Sequence, residues 1–163
     1  MNGGGAHSTG TLVVVAIVAA VVGFVGGYAV AKKQQVEKRD TVIVLSQASP
    51  SAPCLPSDPV QLKTKQKQAL TWHIRNTCST ALFVKLDNFR ARNDDGSLGG
   101  QQRIFGEPPT TPSIAANGGT FDLTATLTND VAQETLFKYE IFLRSSADAQ
   151  WEMRRDPDID IWP

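Results

Sequence analysis

Hydrophobic positions follow two regimes along this chain. From Leu12 to Ala31, LVVVAIVAAVVGFVGGYAVA, they run on without a charge or a side-chain amide. A helix of that length rises about 30 Å, the thickness of a bilayer's hydrocarbon core, so the pattern predicts a membrane-spanning helix over 12–31. Ala29-Val30-Ala31 before Lys32 offers a competing reading as a signal-peptidase site, but the segment before the apolar run has no Lys or Arg and the run is long for a leader. Ahead of it, residues 1–11 form a glycine-rich tail. Within the span Ala16, Ala20, Gly23 and Gly27 share one helical face, opposite bulky residues such as Val14, Val18 and Val25. Small residues at that spacing let a second helix approach closely, which predicts packing against other membrane subunits, with lipid on the valine face.

From Val60 onward the period is two. Val60 and Leu62, then Leu70, Trp72 and Ile74, alternate with polar neighbours across a turn near Thr64–Lys67, which predicts a half-buried hairpin. Further strands are expected at Ala81–Arg92, with Leu82, Val84 and Leu86 on one face and Phe83 and Phe89 on the other, which suggests a central strand or a bulge near Asn88. Others follow at Gln101–Phe105, at Thr120–Thr128 with Phe121, Leu123, Ala125 and Leu127 inward, and at Leu136–Arg144 with Phe137, Tyr139, Ile141 and Leu143 inward. Gln150–Arg154 and Asp158–Trp162 close the sheet. Asn93–Gln102 and the proline-rich stretch from Gly106 to Gly119 read as loops. Short strands at this spacing without helical period indicate a mainly β, antiparallel sandwich over 59–163.

Between the two regimes, residues 32–58 read as a basic juxtamembrane segment and a Pro/Ser linker. The β-branched run Val42–Leu45 is either an added edge strand or an apolar contact near the membrane. Lys32, Lys33, Lys38 and Arg39 place this side in the cytoplasm by the positive-inside rule. The two cysteines point the other way. If Val60 faces Trp72 and Leu62 faces Leu70, paired positions sum to 132, and so do Cys54 and Cys78. A bridge between them would close a loop of about 25 residues, stabilise by about 3 to 4 kcal/mol in the chain-entropy model, and imply an oxidising compartment. The alternative is a pair of buried free thiols. On balance the pattern predicts a single-pass membrane protein with an extracytoplasmic, periplasmic domain.

Trp72, and Tyr139 in a late strand, are similar in placement to residues of immunoglobulin-type domains. That resemblance implies an immunoglobulin-like β-sandwich, although Ile141 stands where the second inter-sheet cysteine of such domains would be. The ending Asp156-Pro157-Asp158-Ile159-Asp160-Ile161 resembles the closing strand of many small bacterial β-domains.

Charge and chemistry narrow the function. Sixteen basic residues balance sixteen acidic ones, so no net field gathers nucleic acid. Of the two histidines, His7 lies in the tail and His73 on an outward strand face. A copper site would need two imidazoles beside Cys78 and Met153, and a serine or cysteine nucleophile would need a base that only His73 could supply. Asp94 and Asp95 beside Gly96 lack the further ligands of a calcium loop. Gly99-Gly100 and Gly118-Gly119 lack the lysine and following helix of a phosphate loop. These features predict no enzyme activity and no cofactor. Lys63, Lys65 and Lys67 form a basic edge that deters strand pairing between molecules or contacts anionic headgroups or an acidic subunit. The combination predicts a non-catalytic accessory subunit of a membrane complex. A tethered module that binds a peptide, glycan or protein through sandwich loops is the alternative.

Overall fold

The computed structural model describes residues 36–163. The span expected over 12–31, with Ala16, Ala20, Gly23 and Gly27, lies outside the described residues. Among the described residues no helix is long and apolar enough to cross a membrane. The chain from Asp40 onward forms strands: β1 (Asp40–Ser46), β2 (Leu55–Pro56), β3 (Leu62–Lys65), β4 (Ala69–Asn76), β5 (Phe83–Arg92), β6 (Leu98–Gln101), β7 (Gly119–Thr126), β8 (Thr135–Arg144), β9 (Glu152–Arg155) and β10 (Asp158–Trp162).

Two sheets pack face to face. One has the order β2-β1-β4-β7; the other has the order β3-β10-β8-β5-β6, with β9 also on β8. Alternation supplies the inner faces. Leu70, Trp72 and Ile74 of β4 and Phe137, Tyr139, Ile141 and Leu143 of β8 are all buried, and each such side chain taken from water stabilises by about 1.5 to 3 kcal/mol. Between the sheets the Trp72 indole donates a hydrogen bond to the Tyr139 hydroxyl at 3.2 Å. Phe105 meets Trp72 edge-on at 5.9 Å, and Phe89 stacks on Tyr139 at 5.5 Å. Burial pushes the Tyr139 phenol well above its ordinary pKa.

Five expectations need correction. The hairpin of Val60–Leu62 with Leu70–Ile74 does not form: β3 pairs with β10, parallel, with Leu62 opposite Ile159, while β4 belongs to the other sheet. The turn between them is a corner, with Lys67 in the left-handed region at φ 62°. Alternation states which face of a strand is buried, and Leu62 and Leu70 bury theirs from opposite sides of one core.

Nor is the sandwich wholly antiparallel. Besides β3 and β10, β1 runs parallel to β4, with Thr41 opposite Trp72. Such a pairing needs a long crossover, which residues 47–68 supply by way of β2 and β3. Residues 32–58 are therefore not merely a linker: β1 buries Thr41, Ile43 and Leu45 while Val42 stays exposed, and the domain begins well before residue 59.

Phe89 also lies on the core side, not with Phe83. The β5 register shifts between Asp87 and Arg90, where Asn88 takes φ 54°, a conformation Asn tolerates better than most residues. That single extra residue reverses the phase of the strand. Finally, the loop expected over 93–102 is shorter, because β6 pairs Leu98 with Arg92 and Gln101 with Arg90.

Candidate functional site

Three connections meet at one end of the sandwich. The segment after β1 is anchored by the disulfide Cys54–Cys78, whose Cα atoms are 6.1 Å apart. Cys78 is fully buried and bonded, and so is not free to ligate a metal. The turn from β4 to β5 is organised by Asn76, itself buried. Its amide donates to the carbonyls of Thr80 at 2.9 Å and Ile114 at 3.1 Å, and its oxygen accepts from the Cys78 amide at 3.1 Å. Thr77 donates from both its backbone amide and its hydroxyl to the Leu45 carbonyl, each at 2.8 Å. The Gln47 amide donates to the Ser79 hydroxyl at 2.9 Å, joining the two connections at the surface. Satisfied polar networks of this kind fix backbone positions.

The third connection leads from β8 to β9. Arg144 donates from Nη1 to the Ala147 carbonyl at 2.6 Å, and its guanidinium lies 4.3 Å from the Trp151 ring centroid and 4.9 Å from that of Phe83. Lys85 follows, 4.8 Å from Phe142 and 5.3 Å from Trp151, with its ammonium paired to Asp87 at 3.1 Å. Cations and rings thus alternate across the outer face of this sheet.

Together these connections enclose a cleft of about 290 Å³. Leu82 and Leu143 line it with Cys54, and polar groups of Gln47, Ser79, Thr80, Gln150, Glu152 and both Arg144 and Arg154 surround them. Arg154 pairs with Glu152 through Nη2. The Nε atoms of Arg144 and Arg154 are buried and have no hydrogen-bond partner. A buried donor without an acceptor costs about 1 to 3 kcal/mol. Both such nitrogens belong to residues of this cleft.

The residues singled out from sequence fall elsewhere, apart from the cysteines. Lys63 and Lys65 are exposed on the edge strand β3, where the backbone of Lys63 also exchanges hydrogen bonds with that of Lys38 at 2.7 and 2.8 Å. Lys67 is not on that edge, because the corner turn carries it away to pair with Asp130 at 2.9 Å. His73 lies on the outer face of β4 with Nδ1 2.8 Å from Asp122. Asp95 accepts from the hydroxyl and the amide of Ser97 at 2.6 and 2.9 Å, and these bonds hold its carboxyl below the ordinary range. No group of three or more potential metal ligands occurs among the described residues.

In the sequence Arg144 and Arg154 stand only as the last residues of two expected strands, Leu136–Arg144 and Gln150–Arg154. The available signal was the run Arg144–Arg154, in which two arginines, a tryptophan and a glutamate bracket a polar turn.

No family model matches the chain, and no curated protein does. Among solved structures, a chaperone–tip adhesion subunit pre-assembly complex (CsuC–CsuE) from archaic chaperone–usher Csu pili of Acinetobacter baumannii is similar at 19% identity, over 61% of this chain and 47% of that one, with a TM-score of 0.45. A blue copper oxidase from Nitrosomonas europaea is similar at 10% identity, over 77% of this chain and 44% of that one, with a TM-score of 0.37. Fet3p, a multicopper oxidase that functions in iron import, is similar at 8% identity, over 76% and 27%, with a TM-score of 0.33. The chain spans less than half the length of each. The likeness is one of β-sheet architecture and carries no argument about activity.

Proposed function

We propose that this chain is a non-catalytic accessory subunit of a membrane complex, anchored by residues 12–31, whose β-sandwich grips a neighbouring subunit at its loop end. The observation that carries this reading is the cleft, where connections from both sheets converge beside a disulfide and polar and charged side chains surround Leu82 and Leu143. The fold is immunoglobulin-like: the order β10-β8-β5-β6 against β1-β4-β7, with Trp72 packed on Tyr139 between the layers, supports that assignment. The disulfide supports an extracytoplasmic location for the domain. The small-residue face of Ala16, Ala20, Gly23 and Gly27 supplies the second contact, within the bilayer. A tethered receptor for a free ligand is the second reading, and the cleft serves it equally well.

Extraction in mild detergent separates the two. As a subunit, the full chain migrates with a larger complex, and Ser79→Trp, which fills the cleft from an exposed position, weakens that association. A solitary chain overturns the subunit reading, and unchanged migration of the Ser79→Trp variant removes the cleft from it.

A further inference from the structure

A sheet edge presents unpaired N–H and C=O groups, and folded proteins blunt it with charge, brevity, bulges or a covering segment. Away from the cleft, the edges of this sandwich differ in that respect. β3 carries Lys63 and Lys65 and is met by Lys38. β2 is two residues long, and β6 is four with two glycines. β9 is short, charged and shifted in register. β7 has none of these defences: its eight residues, Gly119–Thr126, pair with β4 in unbroken register and include no lysine, arginine or proline.

The pairing with β4 determines which groups are free. Thr71 donates to the Arg39 carbonyl, in line with β1, at 2.8 Å, so the alternate residues Leu70, Trp72 and Ile74 face β7 and hold Ala125, Leu123 and Phe121. The backbone groups of Thr120, Asp122 and Thr124 therefore point away from β4, where no strand lies among the described residues. Another strand satisfies donors and acceptors at that spacing. It must turn apolar side chains toward the core beside Phe121 and Ala125, which are half-buried at its rim, and polar ones outward. β7 itself alternates in that way. We propose that β7 is a dimerisation edge, pairing antiparallel with β7 of a second copy so that the four strands of its sheet continue into the partner's four.

Charge and space choose the register. With Leu123 on the two-fold axis, Gly119 would lie opposite the partner's Leu127, a place that Phe105 already fills. With Asp122 on the axis, two carboxylates would face each other, which is destabilising. Phe121 on the axis avoids both. Thr120 then lies opposite the partner's Asp122 in two symmetric pairs, each exchanging both of its backbone bonds, and two half-buried phenylalanines meet across the axis.

Sedimentation equilibrium of the full chain in mild detergent measures the association, and the expected species is a dimer. Thr120→Asp sets a second carboxylate against the partner's Asp122 in both pairs and should weaken association about tenfold, while Thr120→Lys sets an ammonium there and should tighten it about fivefold. Thr120 is exposed, so neither change disturbs the core. Asp122→Pro removes an N–H that faces away from β4, so it should leave the circular dichroism unchanged and abolish the dimer. A monomer at every concentration overturns the inference, as does a dimer indifferent to both Thr120 variants. A dimer weakened by Ser79→Trp would place the interface at the cleft and overturn it too. A monomer that joins a larger complex, and loses it on Asp122→Pro, also overturns the inference and assigns the edge to a strand of a different subunit.

Discussion

β9 and β10 follow one another along the same flank of β8, separated only by Asp156-Pro157, and their fates are opposite. In β10, Ile159, Asp160, Ile161 and Trp162 are all buried, whereas no residue of β9 is. The difference lies in neighbours. β10 has β8 on one side and β3 on the other. β9 has its ladder with β8 and, across from it, no second ladder but the Arg155 side chain, which donates to the Pro56 carbonyl at 3.2 Å and pairs with Asp58 at 3.3 Å. A strand paired on both edges and covered by the opposite sheet favours isoleucine; one paired on a single edge at the end of the sandwich can carry glutamate and arginine. The Pro157 carbonyl, which accepts from the Tyr139 amide at 2.9 Å, holds the chain where the two regimes meet. Core and cleft thus share one lane of the sheet.

The sharpest way to break this contrast is to make the same truncation on both sides of it. Ile159→Ala, at 0% exposure, should cost about 4 kcal/mol by transfer and cavity terms together. Met153→Ala, on β9 at 53% exposure, should stay within about 0.5 kcal/mol. Urea unfolding of the full chain measures both, and comparable losses would show that β9 is buried in solution. Next in size is the disulfide. Cys54→Ala with Cys78→Ala should cost about 3 kcal/mol for a loop of 24 residues. It should also loosen the cleft wall, so hydrogen exchange should quicken at Thr77 to Thr80 and remain slow in β8.

How much of this contrast a reader of the sequence could foresee differs between its halves. The strands were legible, since Phe137 to Leu143 and Leu70 to Ile74 alternate cleanly and the inner residues are those the period names. Their partners were not. Leu62 and Leu70 look like the arms of a hairpin, because a period of two records burial and is silent about which strand lies alongside. The bridge of Cys54 to Cys78 was anticipated from that hairpin's register. In the structure it arises otherwise, from β2 pairing with β1 and β1 lying beside β4. The cleft was least legible. Arg144 and Arg154 acquire meaning only when the β8–β9 turn is brought beside residues 47–54, a contact across nearly the whole length of the domain.

A smaller effect tests how dry the core side is. Tyr139→Phe removes the acceptor of the buried Trp72 indole N–H and should cost about 1 to 2 kcal/mol. No loss in urea unfolding would mean that the indole finds another acceptor.

The smallest effect concerns the polar residue inside β10. Asp160 is 9% exposed, and burial, followed by the charge and hydrogen bond of Glu134, raises its carboxyl pKa above the ordinary 3.8, with Lys63 opposing. A raised acid means that the folded chain holds its proton more tightly than the unfolded one. The resulting stability is fully present below pH 3.8, and it is lost as the pH rises through the folded value. Asp160→Asn keeps the shape and removes the titration. The variant should therefore melt above the parent at neutral pH, with the gap closing as the solution is acidified. A melting-temperature series against pH reads this directly. If the parent were instead the more stable at neutral pH, the attraction of Lys63 would outweigh burial, and even the central strand of this lane would tolerate a charge.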